Sequence, residues 1–382
     1  LSLFLLTFFL IYGSAHAYFL YKAQTALGFG WRITLAAIPP LAALLCGPLI
    51  TYFLEARGME PAARAASFAG YAWMGFLFFF LWMNLALDGA NLMARFLTGA
   101  FGEGPRPLVV YGRPAFLALA GLSAISCVYG SFEASRIRTE HLRIETDKLP
   151  GSTTRIRIAQ ISDVHLGLQV RHRKAEAIAE LVRNARPDLF VATGDLVDGQ
   201  ISHLDGLSEI FREIRPPLGK FAVTGNHEFY AGIGQSLEFT RRAGFTVLRG
   251  EAVTAGGVLR IVGVDDPAAR GFSAPLGLEE EELLGAGRSS LFTLLLKHRP
   301  VLSPAARGAV DLQLSGHTHN GQIFPFRFFV RIWYPLLSGL YTAKGGAALY
   351  TSRGTGTWGP PMRFLSPPEV TIIDIERSGA RL

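Results

Sequence analysis

The chain opens on long apolar runs and changes rhythm near residue 133. Apolar stretches occupy about 1–20, 33–54, 66–87 and 114–132, each close to the roughly 20 residues that a helix needs to cross a hydrocarbon core. The third is dense in aromatics, with Trp73, Phe76, Phe78, Phe79, Phe80 and Trp82. The second carries Pro39, Pro40 and Pro48, which predict a kinked or broken helix. The first contains His16 and reads as a span, with a signal segment as the alternative. No stretch carries a chain or ring of acidic residues, so an anchor rather than a transport pathway is expected.

Beyond Glu133 the period shortens. Residues 136–146 alternate apolar and polar and predict an edge strand. Pro150, Gly151 and Ser152 mark a turn. From Arg155 the order is strand, loop, helix, repeated: strands at 155–161, 188–193 and 220–224, helices at 171–186 and 204–214. Further strands are expected at 258–264, 291–296, 311–315, 347–351 and 370–375. Alternating strands and helices with a strand-rich tail argue an α/β layered fold. The acidic run Glu279 to Glu282 reads as the solvated first turn of a helix.

Composition fits this division. The 382 residues are 49% hydrophobic and only 18% charged, below the roughly 25% charged of an ordinary soluble domain. Seven basic and four acidic residues precede position 133, leaving thirty and twenty-six to the rest. Domains are therefore expected at 1–132, a transmembrane segment of about four helices, and at 155–382, a catalytic domain, with 133–154 as linker and edge strand. The net charge of +7 is spread out, which suits anionic lipid or phosphate and not a nucleic-acid stripe. Lys22, Arg32, Arg95, Arg106 and Arg113 flank the spans on one side. Arg57, Arg64, Arg136, Arg138 and Arg143 flank them on the other, so the positive-inside rule does not orient the chain. Cys46 and Cys127 both lie in apolar stretches, which excludes a disulfide framework or a thiolate zinc site.

The candidate chemistry sits where strands are expected to end. Asp163-Val164-His165 follows the first strand, Gly194-Asp195-Leu196-Val197-Asp198 the second and Gly225-Asn226-His227-Glu228 the third. His298 ends a later strand and Gly316-His317-Thr318-His319 another. Sites in open α/β sheets form at the carboxyl ends of strands, so the five blocks are expected on one edge. Carboxylate, amide oxygen and imidazole are ligands for manganese, iron, zinc or similar ions.

Asp-x-His, Gly-Asp-x-x-Asp, Gly-Asn-His-Glu, a lone His and Gly-His-x-His, in this order, resemble the calcineurin-like metallophosphoesterases over roughly 155–375. The tail, with Gly321-Gln322-Ile323, Ser352-Arg353-Gly354-Thr355-Gly356 and Pro360-Pro361-Met362-Arg363-Phe364, is similar to the YkuE-like branch. The resemblance implies an α/β sandwich, two central mixed sheets flanked by helices, behind the transmembrane helices. It implies two divalent ions, manganese first, with zinc, iron(II) or magnesium as alternatives. Asp163, His165, Asp195 and His319 would hold one. Asp195, Asn226, His298 and His317 would hold the other, Asp195 being shared. A hydroxide bridging the pair would attack phosphorus, with His227 as general acid and Asp198 orienting a ligand imidazole.

The expected substrate is a phosphorylated small molecule or lipid. Two dications less Asp163, Asp195 and hydroxide leave about one positive charge, which matches a phosphodiester or a pyrophosphate linkage of a lipid-linked molecule. The alternatives are a phosphomonoesterase and a non-catalytic metal-binding membrane sensor. The expected location is the bacterial inner membrane, as a multi-pass protein in contact with membrane lipids. One further segment, 323–341, mixes Phe324, Phe326, Phe328, Phe329, Trp333 and Tyr334 with Arg327 and Arg331. It suits a membrane interface; a buried loop on the domain core is the other reading.

Overall fold

The computed structural model describes residues 2–101, 112–199, 204, 206–272, 277–285 and 289–379; Arg106, counted above among the flanking charges, lies outside them. The chain divides into two compact units, Leu1–Ser131 with Gly359–Met362, and Phe132–Trp358 with Arg363–Leu382.

The first unit is helical: α1 (Ser2–Leu27), α2 (Trp31–Leu45), α3 (Gly47–Ala56), α4 (Glu60–Phe101) and most of α5 (Arg113–Ser135). Among the described residues, α4 over Glu60–Ala100 and α5 are long and apolar enough to cross a membrane. The α2–α3 pair, bent by 53°, would add a third. The break falls at Cys46, just before Pro48 at the start of α3. Pro39 and Pro40 stay inside α2. Tyr12, Ala15 and Leu77 are buried together against Phe8, Phe19 and Trp73. Polar groups within this unit pair with one another. Trp73 Nε1 donates to His16 Nε2 at 2.9 Å, and Asp88 accepts from Tyr18 and Lys22, both at 2.7 Å.

The second unit holds β1 (Arg138–Thr146), β2 (Arg155–Ile161), α6 (His172–Ala185), β3 (Leu189–Thr193), α7 (Leu207–Arg212) and β4 (Lys220–Val223). Next come α8 (Asn226–Tyr230), α9 (Ile233–Arg242), β5 (Thr246–Val247), β6 (Glu251–Ala255), β7 (Leu259–Gly263), α10 (Glu280–Leu284) and β8 (Phe292–Leu296). The remainder is α11 (Pro304–Ala309), β9 (Leu312–Ser315), α12 (Arg327–Trp333), β10 (Gly339–Thr342), β11 (Ala348–Thr351) and β12 (Glu369–Arg377). The strands form two six-stranded sheets, ordered β1-β12-β2-β3-β4-β5 and β10-β11-β9-β8-β7-β6. Both are mixed. β2, β3, β4 and β5 run parallel, while β12 is antiparallel to β2 and parallel to the edge strand β1. β7, β8, β9 and β11 run parallel between antiparallel β6 and β10.

The alternation of each strand explains the layers. Ile156 and Ile158 of β2 and Val191 of β3 face Ile261, Leu294 and Leu314 between the sheets. Their neighbours Ala159, Ile161, Phe190 and Ala192 turn the other way onto Ile178 and Val182 of α6 and Phe211 of α7. This is the period-two reversal of side chains along a strand. On the far face, Val262 and Leu295 pack on Leu283, Leu284 and Ala306. Glu280 departs from the solvated turn expected of the acidic run. It is buried, with Lys297 at 2.5 Å and Ser303 donating to it, because α10 lies against the second sheet and brings that carboxylate inward.

Candidate active site

The site is built where strands stop. β2 hands over to Asp163 and His165, β3 to Asp195, β4 to Asn226 and His227, β8 to His298, and β9 to His317 and His319. The backbone there is forced. Asp163, His165, Asp195, His317, His319, Asn320 and Gln322 all have positive φ, between 49° and 70°, a region that costs non-glycine residues energy and gathers at functional sites. The motif glycines answer to close approach. A Cβ on Gly225 would collide with the Asp195 carboxylate, and one on Gly316 with Asp163 and Ser162. Below them Gln160 Nε2 donates to Thr193 Oγ1 of the first sheet at 3.0 Å and to Ser315 O of the second at 3.1 Å, joining the two layers.

Two groups of ligand-type atoms result: Asp163, His165 and His319, and Asp195, His298 and His317. In the first, His165 Nε2 lies 3.1 Å from His319 Nε2, and His319 Nε2 lies 3.4 Å from Asp163. In the second, His298 Nε2 lies 3.1 Å from both Asp195 Oδ2 and His317 Nδ1. Asp195 Oδ2 also stands 3.9 Å from His165 Nε2, so this carboxylate lies near a histidine of each group. Six of the seven residues expected as ligands are thus brought together; the seventh, Asn226, begins α8 beside His227. The Asn226 Oδ1 atom is buried and has no hydrogen-bond partner. An orphaned buried amide oxygen is costly unless a cation or another donor meets it.

The electrostatics agree. Burial holds the His165 imidazole down to about 4. Burial likewise keeps His317 and His319 well below the ordinary value, so these rings are neutral and offer lone pairs. Burial also raises the Asp163 carboxyl, to about 6. Asp195 is held well below the usual carboxylate range: burial opposes this, but His298, His227 and His165 together outweigh it. His298 Nδ1 lies 2.8 Å from Thr193 O. A carbonyl only accepts, so Nδ1 carries the hydrogen and Nε2 faces the cluster, a common way to orient a ligand imidazole. The donor set and the orphaned amide oxygen fit divalent cations.

His227 and Asp198 are not members of these two groups. Asp198 is half-buried and bonds His227, Oδ1 to Nδ1 at 2.9 Å. It therefore orients His227, where the sequence suggested a ligand imidazole. Burial works against a charged His227, yet Asp195 and then Asp198 raise it to about 9. His227 also groups with His165 and Asp195 as a third possible ligand set.

Residues 156–321 match the calcineurin-like phosphoesterase family. An uncharacterized metallophosphoesterase of Aquifex aeolicus is 43% identical over 252 residues, covering 66% of this chain and 96% of that one. This chain belongs to the calcineurin-like metallophosphoesterases. It is a metal-dependent phosphoric ester hydrolase. A Danio rerio protein named transmembrane protein with metallophosphoesterase domain is 32% identical over 278 residues, 70% of this chain; the match spans only 63% of the fish protein's length. The Bacillus subtilis metallophosphoesterase YkuE is 30% identical over 258 residues, 64% of this chain and 87% of YkuE.

Several residues that support this metallophosphoesterase site have partners that the motifs did not reveal. Glu228, whose role the sequence left open, accepts from the backbone N–H of Gly225, Asp195 and Leu196 at 2.6, 2.9 and 2.7 Å. It staples two motif loops together and does not face substrate. Arg363 is fully buried and donates to His319 Nδ1 at 3.0 Å and to the carbonyls of Arg353 and Gly356; burial lowers it to about 10. Arg353 is turned away, paired with Glu140 and with Glu369. Tyr334 places its hydroxyl 3.1 Å from His317 Nε2 and 3.3 Å from Arg299 Nη1. The only sequence signal for Tyr334 was its place in the aromatic segment after the last motif.

Proposed function

We propose that this metallophosphoesterase is held in a membrane by its N-terminal helices, residues 1–132, and that residues 155–382 hydrolyse a phosphodiester or pyrophosphate bond of a lipid-linked substrate. The location that fits this reading is a bacterial inner membrane. The observation that supports the chemistry is the pair of ligand groups, with Asp195 near a histidine of each and Asn226 Oδ1 buried and unsatisfied. Asp163, His165, Asp195 and His319 would hold one cation, and Asp195, Asn226, His298 and His317 the other; manganese suits this oxygen–nitrogen set. Divalent cations held there supply Lewis acidity toward phosphoryl oxygens.

The chain's own groups do the rest. His227 has Nδ1 engaged by Asp198, which leaves Nε2 to give a proton to the leaving oxygen. The charge around the cluster favours a diester. Asp163 and Asp195 face it, while Glu228 is spent on backbone N–H groups and Arg353 on Glu140 and Glu369, so neither alters the charge met by substrate.

Purified full-length protein should turn over bis-p-nitrophenyl phosphate faster than p-nitrophenyl phosphate when manganese is supplied. The reverse order would mark a phosphomonoesterase. His227→Ala should lower turnover by about 10²–10⁴-fold with bound metal unchanged. In a second reading, favoured by the closeness of His227 to His165 and Asp195, His227 is itself a ligand, and the variant would then lose metal.

A further inference from the structure

We infer that α12 and the turn before it dock on the surface of an anionic bilayer and set the rim of the active site at the headgroup level. The inference rests on the reading above only in taking the N-terminal helices as membrane spans.

α12 has no buried residue. Phe326, Phe328, Phe329, Ile332 and Trp333 are all exposed, Ile332 to 73% and Trp333 to 81%. A contiguous set of large apolar side chains in water marks an interaction surface, where single exposed ones would not. The occupant follows from charge and chain context. Residues 323–341 contain Arg327 and Arg331 and no acid, which suits a negatively charged surface. Aromatics with Arg are the composition of the water–lipid boundary. The same chain carries helices long and apolar enough to span a membrane, so a bilayer is the apolar phase always within tether range. The geometry gives docking a purpose. Tyr334, the residue ending α12, bonds His317 through its hydroxyl. One residue therefore separates the exposed face from a ligand of the candidate metal cluster, and a phosphoester at headgroup depth would meet the site without leaving its lipid layer.

The test reads depth directly. A nitroxide is placed at Ile332→Cys in full-length protein with Cys46→Ser and Cys127→Ser, reconstituted in vesicles of phosphatidylethanolamine with phosphatidylglycerol. A label at exposed Glu213→Cys serves as the aqueous reference. Docking is expected to raise the ratio of oxygen to nickel-chelate collisions at position 332 severalfold over position 213. Phe328→Ser with Trp333→Ser should return it to the aqueous ratio, and phosphatidylcholine vesicles should weaken it. Equal water access at both positions would overturn the inference. So would an immobilised label shielded from both relaxants, since that reports cover by protein, a second copy included. Turnover of bis-p-nitrophenyl phosphate is measured separately, so loss of docking and loss of phosphoesterase activity are told apart.

Discussion

The floor and the rim of the site follow opposite rules. On the floor, Asp163 and Asp195 are almost wholly withdrawn from water, and both carboxylates accept backbone hydrogen bonds. Asp163 accepts from His317 N at 3.0 Å and Asp195 from His227 N at 2.8 Å. At the rim, α12 leaves Phe328, Ile332 and Trp333 in solvent, forgoing about 1.5–3 kcal/mol for each such side chain that could be buried. The floor keeps strained backbone and buried charge because other groups over-determine them. The rim keeps exposed apolar surface because its partner lies outside the fold. Local stability and local function are thus bought from different sources.

The contrast can be broken at three depths. Asp195→Asn, at the centre of the floor, removes the carboxylate proposed to serve both ligand groups. Turnover should fall on the order of a thousandfold or more, and mass-spectrometric metal counting should show loss of bound metal. Unchanged metal content would mean that the two groups do not share it.

Asp198→Asn lies midway, half in solvent. It removes one of the carboxylates that raise His227. A group whose pKa is raised by a negative neighbour loses its proton at lower pH once that charge is gone. The alkaline limb of the turnover profile should therefore move to lower pH. A limb that stays in place would detach Asp198 from proton transfer.

Phe328→Ser at the rim should change thermal stability least, within about 0.5 kcal/mol, read from the unfolding midpoint in detergent. A large loss would show Phe328 to be part of the fold and would erase the contrast.

The floor was legible in the sequence because each ligand lies two to four residues past a strand end, so local motifs carry it. Strands with a clear apolar run, such as β2 and β8, were legible for the same reason. What was hidden depends on contacts between segments far apart in the chain. Glu228 stands beside His227 in a motif, yet its partners are backbone N–H groups of another loop. Arg363 meets His319 only because the tail folds back over it. β6 and β10, edge strands with mixed patterns, gave no period strong enough to read. α12 was visible as composition but not as a helix, since Pro325 and Pro335 bracket only a short run.

The place of β12 has a consequence for how the protein is made. β1 and β2 are synthesised early, but in the sheet they are separated by β12, with Ile158 opposite Ile373 and Leu142 opposite Ile373 on the other side. The first sheet cannot close until β12 has left the ribosome. Contacts of such long sequence separation slow folding, and domains fold as units during synthesis. The N-terminal helices therefore leave the ribosome well before the second unit can complete its first sheet, and the emergence of β12, rather than of the last motif at His319, is what that sheet must wait for.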